Sequence, residues 1–246
     1  MTDAAFDIAS TEQRRGEGRR AARPLHAATL VLVRRDGGDP RVLMGRRHAG
    51  AGFMPNRWVF PGGRCEPGDA RAPAATELSP ETRDLLTRAV SASAATSLPR
   101  ALALAAVRET WEETGLRLAR PAPPPAPLAP PWSDFAADGR LPDLAALAFI
   151  GRAVTPPSLA RRFDARFFQA DAEALASLDA RPSPELDEVA WLTLEETRDV
   201  ELPSVTRVML RELALRLGEP GRAPIFLRVV HGQRRADPIT EVPAGR

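Results

Sequence analysis

The chain reads as an α/β protein, with strands interleaved with helices on a mixed sheet, and three observations carry that reading. Short runs of small and β-branched residues recur at 25–33, 144–154 and 224–230, each the length of a buried strand. Helical periodicity separates them, most clearly at about 100–114 and 203–217. An apolar content of 43% in 246 residues supplies a real core, which favours one elaborated domain over two small ones.

Residues 1–23 are polar, rich in Arg and Gly and without periodicity, so a disordered tail is expected before a domain at 24–246. A second strand at 41–45 follows the first across the turn Asp36-Gly37-Gly38, making a hairpin. A connection at 48–52 leads to a short strand around Trp58-Val59-Phe60. His48 in that connection reads as a solvent-exposed loop histidine, with substrate contact as the other reading. The stretch at about 70–99 begins rich in proline, then offers Ser79 as an N-cap with Pro80 at the first helical position and an amphipathic run to Val90. Leu98-Pro99 reads as a break, and a helix follows at 100–114. Seven prolines at 121–131 leave a stiff spacer. Strands at 144–154, 162–168, 189–192 and 224–230 complete the count, with a short helix from Thr193 and a longer one at 203–217. In 162–168, Phe163, Ala165 and Phe167 share one face and Asp164, Arg166 and Phe168 the other. That segment is either an edge strand with surface charges or a place where Arg161, Arg162 or Arg166 grips phosphates, since a guanidinium fork matches phosphate oxygens.

Composition excludes several functions. All 34 basic residues are arginine, tyrosine is absent, and 32 acids leave a net charge of only +2, so the high pI does not point to nucleic acid. One cysteine, Cys65, rules out an intramolecular disulfide and fits a reducing cytoplasm. With no His or Cys near it in sequence, it reads as an inert side chain. No apolar run is long enough to span a membrane, and the acid-containing start does not resemble a targeting segment. Oligomeric state is open.

The chemistry concentrates between Phe60 and Leu116. Glu109, Glu112 and Glu113 stand at i, i+3 and i+4, so on a helix they share one face, opposite an apolar stripe of Leu104, Val107 and Trp111. Gly115 suits the left-handed position that ends such a helix. Two glutamates then lie in the last turn, where the macrodipole disfavours negative charge, and a positive partner is expected. The plain alternative is a solvated acidic helix end in which Arg108 pairs with Glu112. Upstream, Pro61-Gly62-Gly63 lets bare backbone approach whatever the acids hold. Hard oxygen ligands of this kind suit Mg²⁺ or Mn²⁺.

Gly63, five residues, Asp69, and then Arg108-Glu109-Thr110-Trp111-Glu112-Glu113-Thr114-Gly115-Leu116 resemble the signature box of the Nudix hydrolases. The family has Glu where Asp69 stands and an apolar residue where Thr110 stands. It also places seven residues between that acid and the arginine, whereas 38 lie between Asp69 and Arg108, an excess of about 31. An insertion splits the box. The lead-in from Phe53 to Gly63 and the segment from Arg162 to Phe168 are similar to the insertion-bearing subgroup that includes relatives of the mammalian peroxisomal coenzyme A diphosphatase.

The resemblance implies an α/β/α sandwich with a mixed sheet and a helical insertion. It implies metal-dependent cleavage of a phosphoanhydride in a small nucleotide-type substrate. Glu109, Glu112, Glu113 and the Gly62 carbonyl would be metal ligands converging on Mg²⁺ or Mn²⁺, and Arg108 would orient the glutamates. The general base would lie on a late loop, at Glu185 or, as second choice, Glu188. Coenzyme A or an acyl derivative is the leading substrate, with the insertion as one wall of its groove and Arg162 and Arg166 as its cationic contacts. ADP-ribose or a modified nucleotide is the alternative within enzymes. A Nudix-fold binding or regulatory protein without hydrolysis is the alternative outside them.

Overall fold

The computed structural model describes residues 22–88, 97–123 and 125–240. The tail expected at 1–23 falls almost wholly outside them, as do 89–96 of the insertion. In chain order the elements are β1 (Leu25–Arg34), β2 (Arg41–Arg47), β3 (Trp58–Val59), β4 (Gly62–Arg64), α1 (Pro80–Thr87), α2 (Leu98–Thr114) and β5 (Ala119–Pro121). They continue with α3 (Trp132–Phe135), β6 (Arg140–Pro142), β7 (Ala148–Val154), β8 (Phe163–Asp171), β9 (Leu186–Thr193), α4 (Ser204–Gly218), β10 (Ile225–Val230) and β11 (Gln233–Pro238).

One mixed sheet runs β11-β10-β7-β8-β1-β2-β3, with β4 added to β1 and β9 to β2. The long first strand organises it. β1 lies parallel to β8 over its whole length, from Leu25 opposite Phe163 to Val33 opposite Asp171. Its other edge is divided: β4 pairs with Ala27–Thr29 and β2 with Val33 and Arg34. This division seats two glycines of β4 beside the first half of the central strand.

Period-two alternation then sorts side chains into two cores. Ala28, Leu30 and Leu32 of β1 pack with α2 and Phe135 on one face, while Val31 and Val33 pack with Met209, Leu210 and Leu213 of α4 on the other. Helices thus cover both faces, giving the sandwich that the resemblance implies.

Several elements depart from the sequence reading. Helix α2 starts at Leu98, not Arg100, because Pro99 sits in the first turn, where its missing N–H costs nothing. Its apolar stripe is wider than expected. Residues 101–107 are buried on every side, with Ala101, Ala103, Ala105 and Ala106 small enough for close approach, whereas Trp111 is only partly covered. Ser79 caps α1 through a bond from the Thr82 amide of 3.1 Å, and Thr82 Oγ1 donates to the Leu147 carbonyl at 3.1 Å. These bonds anchor the insertion helix behind α2. Residues 62–64 form a strand rather than a turn alone, and β11 and the β5–β6 pair were not expected.

Candidate active site

The two halves of the split box meet through glycine. The Gly62 amide donates to Glu113 Oε2 at 2.9 Å, and Gly63 lies so close to Glu109 that any side chain there would overlap the Glu109 carboxylate. On its other side, Gly62 packs against the Ala28 carbonyl and Thr29 Cα, leaving no room for a Cβ. Two bare backbone positions are therefore pressed between the central strand and the acidic end of α2. Gly115 ends that helix with φ of 73° and its amide bonded to the Trp111 carbonyl at 2.8 Å.

Arg108 ties the site together. Its guanidinium is buried and donates to Asp69 Oδ1 at 2.9 Å, Glu109 Oε1 at 3.0 Å, Glu112 Oε2 at 2.8 Å and the Arg64 carbonyl at 2.9 Å. Asp69, 1% exposed, is fixed in turn by the Glu66 amide at 2.7 Å. One arginine thus joins the glycine strand, the loop after it and the helix, across the 38 intervening residues. It is also the positive partner that the helix end requires. Burial opposes its charge, but the hydrogen bond to Asp69 and the fields of Glu109, Asp69 and Glu112 win, so its pKa lies above the ordinary arginine value.

The glutamates behave oppositely. Burial pushes Glu113 up to about 8, with Glu109 adding repulsion and the Gly62 amide opposing it. Burial likewise raises Glu109 to about 7 against the pull of Arg108, with Glu112 and Glu185 adding to the rise. These carboxylates are crowded beyond what Arg108 neutralises.

A cavity of about 510 Å³ opens from this point, lined at one end by Gly62, Gly63, Glu109 and Glu112 and by Glu185 from the loop before β9. Arg47 joins it, 3.9 Å from Glu185 Oε2 and bonded through Nε to the Phe53 carbonyl at 3.0 Å. Glu188 does not line the cavity; it pairs with Arg46 at 3.4 Å.

The expected cationic contacts lie elsewhere. Arg166 is fully buried on the central strand β8, ion-paired with Asp164 and donating to its carbonyl at 2.9 Å. Burial lowers its pKa, and its Nε and Nη2 have no partner among the described residues. Arg162 donates to the carbonyls of Thr155 and Ala22. Neither lines the cavity, because β8 is internal to the sheet and its even-numbered residues face away. Arg161 does line it, as do Arg64 and Arg234. The described part of the insertion contributes nothing to the lining, since α1 packs on the far side of α2. Arg47 carries no signal in the sequence: on a strand of mixed burial, only its neighbours in space reveal its role.

Among the described residues, no three acidic, His or Cys side chains are grouped closely enough to hold a cation as they stand. The expected convergence of three glutamates is therefore not preassembled. Mutual repulsion leaves each carboxylate on its nearest donor, Glu109 and Glu112 on Arg108, Glu113 on the Gly62 amide. The donor chemistry nevertheless fits a hard divalent cation: three carboxylates on one helical turn, two of them holding protons that a cation would displace.

Residues 24–91 match the family described as NUDIX domain. Over those residues the chain is similar to a Nudix domain. A solved NUDIX hydrolase from Alicyclobacillus acidocaldarius is 28% identical over 77% of this chain and 90% of its own, with a TM-score of 0.56. The NUDIX domain of Shewanella oneidensis NrtR, solved with ADP ribose, is 13% identical over 80% of this chain and 90% of its own, with a TM-score of 0.46. The MutT NUDIX hydrolase of Burkholderia pseudomallei is 17% identical over 78% and 99%, with a TM-score of 0.45. The latter two lie too far from this chain to inform its chemistry. No curated protein sequence matches it. The match by sequence covers the glycine half of the box, and the fold brings the glutamate half to it.

Gly63→Ala tests the closure of the split glycine and glutamate halves. The new methyl group displaces the far end of a flexible side chain, so folding is expected to survive with Tm within a few degrees. The Glu109 carboxylate has to move, and kcat is expected to fall by about 10²-fold. Wild-type turnover in this variant would detach Glu109 from the chemistry.

Proposed function

We propose that this Nudix domain hydrolyses the phosphoanhydride of a nucleoside-diphosphate derivative in a Mg²⁺- or Mn²⁺-dependent reaction. One observation carries the proposal: a cavity with Glu109, Glu112 and the Gly62–Gly63 strand at one end, where Glu109 and Glu113 are crowded enough to retain protons near neutral pH. Glu109, Glu112, Glu113 and the Gly62 carbonyl are the groups that would hold divalent ions. Such ions supply charge neutralisation on bridging phosphates and a more acidic bound water. Arg108 keeps Glu109 and Glu112 aimed, its donors being spent on Asp69, the glutamates and the Arg64 carbonyl. Arg47 supplies positive charge beside the acids at the cavity wall. To Glu185, well exposed and close enough to raise both Glu109 and Glu113, we assign the proton of the attacking water.

Coenzyme A or an acyl derivative is the substrate we favour, on the resemblance of 53–63 and 162–168 to the insertion-bearing subgroup. The cavity, at about 510 Å³, has room for more than a pyrophosphate. Purified protein with Mg²⁺ or Mn²⁺ is to be tested against coenzyme A, ADP-ribose, NADH and nucleoside triphosphates. The expected products from coenzyme A are 3′,5′-ADP and 4′-phosphopantetheine. A clear preference for ADP-ribose overturns the coenzyme A assignment and leaves the hydrolase reading standing.

Glu185→Gln is expected to lower kcat by about 10²–10⁴-fold with unchanged Tm. An unaltered kcat transfers the role of base to another group.

A further inference from the structure

The first turn of α4 forms part of the cavity wall, since Pro203, Ser204, Val205 and Thr206 all line it. This 15-residue helix begins without a cap. Pro203 stands at the N-cap position, where its side chain accepts no bond, and no acidic residue occupies the first turn. The first backbone bond runs from the Arg207 amide to the Pro203 carbonyl at 3.1 Å. The amides of Ser204, Val205 and Thr206, ahead of it, find no acceptor among the described residues. The Ser204 side chain repeats the deficit. It belongs to a residue only 9% exposed, and its Oγ is closed to solvent without a hydrogen-bond partner among the described residues. Buried hydroxyls are ordinarily paired, so one turn of helix brings two kinds of donor to the cavity wall with nothing from the protein to receive them.

The wall is held in place, and its packing neighbours are apolar. The loop ahead of α4 is fastened to β3 by the Trp58 amide, which donates to the Glu201 carbonyl at 2.9 Å, and by Arg57, paired with the Glu201 carboxylate at 2.9 Å. Val205 packs against the buried cluster that holds Phe60, Phe167 and Leu227, three residues that also line the cavity. Arg207, next along the helix, donates to the Leu202 carbonyl at 3.5 Å and does not line the cavity. An ion at this wall would lose its hydration against apolar side chains with no guanidinium from the helix beside it. A neutral oxygen acceptor loses far less and still satisfies the amides, and its partial negative charge suits the positive end of the helix.

We infer that the start of α4 is a subsite for a neutral carbonyl acceptor on the substrate, an amide or lactam oxygen received by the free amides and the Ser204 hydroxyl. This rests on the hydrolase reading above and adds a selection among nucleoside-diphosphate derivatives by a group away from the anhydride. Two parts of such a molecule can carry the carbonyl. One is the base, since guanine and uracil present an oxygen where adenine presents an amino group. The other is an amide-containing arm across the diphosphate.

Two series of compounds separate these sources. The first is ADP-glucose, GDP-glucose and UDP-glucose, which differ only in the base. The second is coenzyme A against an analogue in which an alkyl chain replaces the pantetheine arm. KM with metal and calorimetric Kd in EDTA are measured for the wild type, Pro203→Ser and Ser204→Ala. Pro203→Ser installs a neutral cap whose hydroxyl accepts from the same amides, so its Tm is expected to equal or exceed that of the wild type. Ser204→Ala removes the unpaired hydroxyl. In one of the two series the wild type is expected to favour the carbonyl-bearing compound by about fivefold or more in both measurements, and each variant to lose most of that preference. The series that responds identifies the source. Absence of a preference in both series overturns the subsite, as does a preference that persists unchanged in a stable Pro203→Ser and in Ser204→Ala. Discrimination in binding without turnover of any anhydride upholds the subsite and overturns the hydrolase reading; turnover without discrimination does the reverse.

Discussion

Glu113→Gln is expected to abolish most turnover while making the metal-free protein more stable at alkaline pH. The glutamine keeps the shape and still accepts from the Gly62 amide, but it removes a ligand charge, so kcat should fall by about 10²-fold or more. Stability moves the other way. In the native protein Glu113 holds its proton up to about 8 and Glu109 up to about 7, whereas in the unfolded chain both release it near the ordinary glutamate value of 4.5. The native state therefore binds protons more tightly, and the stability this contributes is fully present below about 4.5. It is lost as pH rises through 7 and 8. Metal-free wild type should lose Tm between pH 6 and pH 9, and Glu113→Gln should lose less. The two should nearly coincide at pH 5. Added Mg²⁺ or Mn²⁺ should raise the wild-type Tm more at pH 8.5 than at pH 6, because the cation competes with those protons. Calorimetry across this range, with and without EDTA, checks the sign. A metal-free Tm that rises from pH 6 to pH 9 in the wild type but not in the variant contradicts the crowding of these acids.

Asp69→Ala is expected to cost about 3–5 kcal/mol of folding stability, the penalty for leaving a buried charge without its partner. Asp69 and Arg108 are both almost fully buried, and two of the Arg108 bonds end on Asp69, at 2.9 and 3.2 Å. Asp69→Asn should cost less, since the amide oxygen still accepts one bond. Arg108→Lys should not rescue function, because an ammonium cannot reach Asp69, the Arg64 carbonyl and two glutamates in one plane. Chemical denaturation together with kcat separates the parts: Arg108→Lys should lose activity out of proportion to its stability. Equal stability of Asp69→Ala and wild type would contradict the central role of this pair.

Local physics was enough to read much of this protein from its sequence. Small and β-branched residues set β1, the turn at Asp36-Gly37-Gly38 set its hairpin partner β2, and Ser79-Pro80 set the start of α1. Gly115 set the end of α2, and the i, i+3, i+4 spacing put Glu109, Glu112 and Glu113 on one helical face. Each of these depends on residues within a few positions of one another. The same spacing, with Gly62-Gly63, carried the family resemblance.

Only the tertiary structure decided where charges at a distance end up. Arg166 and Arg161 are alike in sequence, five residues apart. Yet β8 lies inside the sheet, so Arg166 is buried against Asp164 while Arg161, in the preceding turn, meets the cavity. The insertion adjoins the site along the chain but packs behind α2, because α1 buries its apolar face against α2 and β7. Arg234 meets the cavity through the registry of β10 with β11, a strand with no apolar alternation to announce it. Side-chain periodicity is a property of neighbours in sequence, whereas the position of a strand within the sheet is set by pairings across the whole chain. That position determines which charges are buried in the core and which are left for a substrate.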